Sequence, residues 1–155
     1  MAQVGSFRRW GGCLVALLLG LGAGAWLFAD TQPRSLLNIG GCGETCLRPS
    51  DVLGLAASIG IQKFPGAVPY EVRQSDACVA IRSPFSPHRF HYVFSPRRDI
   101  RNIGDLSVGD EPYVMGCLAM MRSIIAERGL KSCRRCSNGP LEQDIAYLYF
   151  PLVSG

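Results

Sequence analysis

The chain has 155 residues, enough for one domain and an appendage, and its 16 Lys and Arg against 12 Asp and Glu leave a net charge of +4. That modest excess, without aromatic–basic interleaving or zinc-finger spacing, excludes the familiar nucleic-acid modules. Seven cysteines, six of them outside the apolar N-terminal run, point to an oxidising compartment.

Residues 10–29 carry no charge and are apolar or Gly throughout, about the length that crosses a hydrocarbon core. Arg8 and Arg9 precede them and Asp30 follows. The positive-inside rule then places residues 1–9 in the cytoplasm and everything after Asp30 outside it, in the periplasm of a bacterium. The chain reads as a single-pass protein of the inner or plasma membrane. The alternative is a cleaved signal peptide, for which Ala23-Gly24-Ala25 offers small residues. Trp26 and Phe28 carry the apolar run past that point and favour the anchor. Gly20, Gly22 and Gly24 could mark helix pairing, which leaves a structural subunit of a membrane complex as a further reading.

Cys13 falls inside the apolar run. The other six, Cys42, Cys46, Cys78, Cys117, Cys133 and Cys136, are even in number and lie in the exported part, the usage of a disulfide-bonded domain. Short loops invite local pairing of Cys42 with Cys46 and of Cys133 with Cys136. The same four thiolates could hold zinc, but disulfides are preferred and no metal or other cofactor is expected. Cys78 and Cys117 read as buried apolar residues.

Residues 30–67 read as a linker, a Cys-containing loop and a short helix over 51–59, capped by Ser50 and closed by Gly60. A hairpin follows over 71–81, then a Pro-rich loop over 83–88 and a strand from Arg89 toward Ile100. The main helix is announced by Val114, Cys117, Leu118, Met121, Ile124 and Ile125 at i, i+3, i+4, i+7 spacing. Asp110 is placed to cap it and Gly129 to end it. Basic residues gather at Arg97, Arg98 and Arg101 and again from Lys131 to Arg135, as solvated turns or as contacts for anionic lipid headgroups. The final stretch, 143–153, alternates as a half-buried strand. Ala146, Leu148, Phe150 and Leu152 face a core, and Tyr147, Tyr149 and Pro151 face away. The sum is an α+β domain: an antiparallel sheet of about five strands with one long helix packed on it, preceded by a transmembrane helix.

That final strand resembles the histidine-triad (HIT) proteins, whose catalytic core ends on a strand of alternating His and apolar residues preceded by a Gln. Gln143 is kept, and Tyr147, Tyr149 and Pro151 stand at the three His positions. The run from Arg89 to Ile100, with His91 inside it and Pro96-Arg97-Arg98 at its end, is similar to the family's strand and Pro-basic-basic turn. The hairpin at Asp76-Ala77-Cys78 and the Asn138-Gly139 turn follow in the family's order, so the resemblance covers roughly residues 68–153, within a HIT-like domain over 68–155. The departures are the triad itself and Glu142, where the family usually has Gly.

In the family the middle His attacks a phosphate. Tyr149 occupies its place here, and a phenol titrating near 10 is almost wholly protonated at neutral pH. His88 and His91 are the chain's two histidines, too few to rebuild a triad. The resemblance therefore implies no catalytic residue. It implies ligand-binding candidates at His91, Arg97, Arg98, Asn138, Gln143, Tyr147 and Tyr149, with a nucleotide or phospholipid headgroup as ligand and a homodimer as a family expectation. The expected function is a membrane-anchored, non-catalytic ligand-binding or protein-interaction module. The alternative is a phosphohydrolase acting on a nucleotide or on a nucleotide-activated lipid such as CDP-diacylglycerol, the substrate of a membrane-anchored branch that keeps its His strand.

Overall fold

A computed structural model describes residues 4–34, 49–135 and 144–155. They fall into two compact units, residues 1–30 and 31–155. The first holds helix α1, Val4–Phe28, whose window Gly11–Phe28 has a mean hydropathy of 1.9, long and apolar enough to cross a membrane.

The second unit is α+β. Helix α2, Pro49–Lys63, opens with Pro in its first turn and Asp51 beside it, both favoured where backbone N–H groups lack partners. The expected stop at Gly60 is not used: the helix continues one turn further. Pro65 ends it, because a proline disfavours helical backbone at the residue before it, and Phe64 sits at φ −132°, ψ 53°. Strands β1 (Glu71–Gln74) and β2 (Cys78–Arg82) form the expected hairpin, its turn held by Ser75 Oγ, which accepts from the Ala77 and Cys78 N–H groups. Strand β3 (Phe90–Pro96) pairs antiparallel with β2 from Cys78↔Pro96 to Arg82↔Tyr92.

Helix α3, Glu111–Arg128, ends at Gly129, which adopts the left-handed φ of 59° that glycine tolerates without penalty. Asp110 stands at the helix start but does not cap it with its side chain. Its carboxylate instead accepts from the Ser107 N–H and hydroxyl at 2.8 and 2.7 Å, closing the preceding 3-10 turn. Strands β4 (Arg134–Arg135) and β5 (Phe150–Ser154) complete an antiparallel sheet of order β1-β2-β3-β5-β4.

Alternation along the strands sends Cys78, Ala80, Tyr92, Phe94, Phe150 and Leu152 to one face. There they pack on Cys117, Met120, Met121 and Ile124 of α3. The opposite face is not bare: Val79 and Tyr147 pack with Ile61 of α2 in a second cluster, so the sheet lies between two helices. This adds a layer to the single-helix arrangement read from the sequence. Gly54 permits it, since a Cβ there would meet the Ala146 carbonyl oxygen at 2.4 Å. The expected start of the HIT-like domain at residue 68 lies inside this unit, and α2 precedes it.

A disulfide is present, as expected, but it joins cysteines other than the ones assigned to pairs. Cys78 and Cys117 are buried as foreseen, but they form a disulfide joining β2 to α3 through the main core, with Cα atoms 5.1 Å apart. Cys133, expected in a local disulfide, is a free exposed thiol. Its proposed partner Cys136, with Cys42 and Cys46, lies outside the described residues.

Candidate functional site

The candidate site is the face of β3 and β5 turned away from α3. In register across it stand His91 opposite Val153 and Val93 opposite Pro151. All four are half-buried. Strand β5 is shorter than the sequence pattern suggests: residues 144–149 form bends and irregular chain, and regular pairing starts at Phe150. Alternation holds from Leu148 onward, where Leu148, Phe150 and Leu152 are buried and Tyr149, Pro151 and Val153 are half-buried.

Tyr147 breaks that alternation. Its ring is buried against Ile61 and Val79, and its hydroxyl lies 2.5 Å from the Pro96 carbonyl oxygen and 3.2 Å from that of Arg98. Burial, then the charge of Asp99, pushes the phenol well above its ordinary value. It is a donor locked onto the backbone of the turn after β3. Neither a phenolate nor a base is available at this position. Tyr149 is half-buried beside it in the chain, and Pro151 offers no side-chain donor or acceptor.

His91 lies on the face of β3 turned away from α3, half-buried. Its Nδ1 is buried without a partner among the described residues, and burial, with His88 adding to it, holds the imidazole below its usual value. It is therefore neutral at pH 7. The two arginines of the Pro-basic-basic turn are engaged internally. Arg97 donates to the carbonyls of Ser75 and Gln62 at 3.4 and 3.3 Å. Arg98 places Nε 2.7 Å from Asp110 Oδ1, donates to the Gly109 carbonyl, and lies over the Tyr113 ring. Burial alone would raise the Asp110 carboxyl, but the Ser107 hydrogen bonds and Arg98 outweigh it and hold it below the usual range. Asn138 and Gln143 lie outside the described residues.

The sequence reading missed an ion pair whose side chains are buried. Arg34, assigned to a linker, forms a two-pronged ion pair with Asp99, Nη1 to Oδ2 at 2.6 Å and Nη2 to Oδ1 at 2.5 Å. Both side chains are 1% exposed. Asp99 Oδ2 also accepts from the Gln32 N–H at 2.7 Å, and Arg34 donates to the Ala146 carbonyl at 3.0 Å. One buried charge pair thus ties three separated stretches together, directly under the chain that leads to Tyr147. No periodicity pairs residues 65 apart, so nothing local could have found it.

Chemically, the described part of the face offers one neutral imidazole, two sealed or half-buried tyrosines and apolar surface. Among the described residues no cluster of three or more His, Cys, Asp or Glu side chains is placed to hold a metal ion.

No family model matches the sequence, and no curated protein matches it. Solved structures do. A histidine-triad protein from Clostridium difficile superposes with a TM-score of 0.55 at 17% identity, over 70% of this chain and 92% of that one. A HIT family hydrolase from Clostridium thermocellum gives 0.56 at 16%, over 70% and 92%. A HIT family hydrolase from Legionella pneumophila gives 0.51 at 19%, over 59% and 86%. At such identities the likeness carries the fold and no activity. On strand order, helix placement and these superpositions, the chain has the fold of the histidine-triad proteins.

Proposed function

We propose that the chain is a membrane-anchored, non-catalytic module of the HIT fold, a domain that binds rather than transfers. The observation that carries this reading is Tyr147. At the first triad position stands a phenol buried in apolar packing and bonded to two backbone carbonyls, where no imidazole chemistry can occur. The internal commitments of Arg97 and Arg98 support it further, because a phosphate ligand would have to compete with Asp110 for Arg98. Helix α1 supplies the anchor in this reading, with residues 31–155 on the extracytoplasmic side. The Cys78–Cys117 disulfide agrees with that side, since such bonds persist in oxidising compartments.

The test is turnover. The full chain in detergent is incubated with a dinucleoside polyphosphate, a nucleoside phosphoramidate and CDP-diacylglycerol. The expected result is no covalent nucleotidyl adduct and no hydrolysis above background. Losing a nucleophile that acts as part of a unit removes on the order of six decades of rate. Turnover abolished by Tyr149→Phe would overturn the proposal. Retention of the chain in membranes after carbonate extraction, with a C-terminal reporter active only outside the cytoplasm, tests the anchor.

A further inference from the structure

The described arginines of the first basic group are spoken for: Arg97 and Arg98 as described, and Arg101 in an ion pair with Asp105 at 3.1 Å. A different set of cations is not. Arg89 at the foot of β3, Arg128 in the last turn of α3 and Lys131 just beyond it line one cleft of about 500 Å³. Ser132 and Ser154 add hydroxyls to its wall, and Phe90 lies under the Arg89 guanidinium, 5.3 Å from its centroid. None of the three cations takes part in a salt bridge among the described residues, and no acidic side chain lines the cleft. The nearest acid in sequence, Glu127, is held in a two-pronged pair with Arg73 at 2.8 and 2.7 Å, and Arg128 adds a weaker charge attraction to it without forming a salt bridge. Arg134, exposed on β4 and paired across from Val153, adds to the same sheet end.

The ordinary explanation for cations here is the α3 C-terminus, whose exposed carbonyls carry about half a negative charge. Two of those carbonyls, Ile125 and Ala126, are already satisfied by the N–H groups of Leu130 and Gly129. Three full positive charges exceed what remains. A carboxylate on Gly155 would still leave the cleft positive. Mutual repulsion among cations that form no salt bridge around one cavity is relieved by a multivalent anion, and two guanidinium forks with an ammonium suit phosphate oxygens.

We infer that this cleft is a phosphate-binding site, separate from the triad-strand face. The ligand is a phosphate group, carried either by a soluble molecule or by the headgroup of an anionic phospholipid. The inference does not rest on the absence of turnover, and either can fail alone.

The chain's two lysines provide the test, because Lys131 lines the cleft and Lys63 ends α2 elsewhere. The full chain is reconstituted in phosphatidylcholine vesicles and treated with a neutral amine-acylating reagent. The acylation rate of Lys131 relative to Lys63 is read by mass spectrometry. Added inorganic pyrophosphate lowering that ratio identifies a soluble phosphate ligand. A fall seen only in vesicles containing phosphatidylglycerol identifies the lipid headgroup. In the second arm Arg89→Gln with Arg128→Gln weakens the protection roughly twenty-five-fold, about fivefold per basic residue near an anionic surface. The control Arg82→Gln with Arg122→Gln, both exposed and outside the cleft, leaves it unchanged. A ratio unaltered by pyrophosphate and by anionic lipid overturns the inference. So does protection that survives loss of both cleft arginines.

Discussion

A tyrosine whose hydroxyl is held by two backbone carbonyls acts as a clamp between the turn after β3 and the stretch before β5. Tyr147→Phe deletes the donor and leaves the Pro96 and Arg98 carbonyls without it. We expect a loss of about 1–3 kcal/mol in denaturant unfolding, the cost of stranding buried polar groups. The pH dependence has a definite sign. The folded phenol titrates above its unfolded value near 10, so its contribution is full below that pH and is lost as pH rises beyond it. The slope of stability against pH above 10 should be shallower in the Phe variant. A second residue-scale expectation concerns Glu127. Hydrogen bonds from Arg73, and then from Ser123, hold its carboxyl down at about 2. Its contribution is present above the ordinary carboxylate value and disappears as pH falls toward about 2. Carboxyl chemical shifts followed by NMR should show that value rise toward the ordinary range in Arg73→Ala. An unmoved titration would mean that the pair is not formed in solution.

At the scale of elements, the decisive link is between β2 and α3. Gly116 lets the helix approach the hairpin, where a Cβ would meet the Ala77 Cβ at 2.4 Å, and one residue on Cys117 bonds Cys78. The loop so closed spans a sequence separation of 39, for which the chain-entropy account gives about 4 kcal/mol. Replacing both cysteines by Ala should lower the unfolding free energy by that order. A non-reduced digest should yield the two peptides linked. Alkylation of both thiols after denaturation without reductant would remove the disulfide from the account. The pattern of helix α3 made it legible as an element, and Cys117 fell on its inner stripe. The partner was not legible, because Cys78 meets Cys117 only when α3 packs on the sheet, and no spacing in the chain sets that meeting.

For the whole molecule, the buried pair Arg34–Asp99 joins the start of the second unit to the turn after β3 and to Ala146. Breaking one partner leaves an uncompensated buried charge. Asp99→Asn or Arg34→Met alone should therefore cost about 3–5 kcal/mol, and the double variant less than the sum, because it removes both charges. Additive losses in a double-mutant cycle would show that the two residues act independently. The sequence by itself determined the apolar helix at the N-terminus, the hairpin, the amphipathic stripe of α3 with its Gly129 stop, and the order of elements that resembles the HIT fold. These are local matters: hydrophobic period, turn chemistry and helix stops are written within a few neighbouring residues. Tertiary structure alone decided that Tyr147 turns inward, that Arg97 and Arg98 are engaged while Arg89, Arg128 and Lys131 surround a cleft, that Cys78 bonds Cys117, and that α2 covers the second face of the sheet. Each of these depends on groups far apart in the chain meeting at hydrogen-bonding or packing distance. Burial and charge pairing arise only when the sheet and its two helices close on one another, and no single stretch of sequence carries that information.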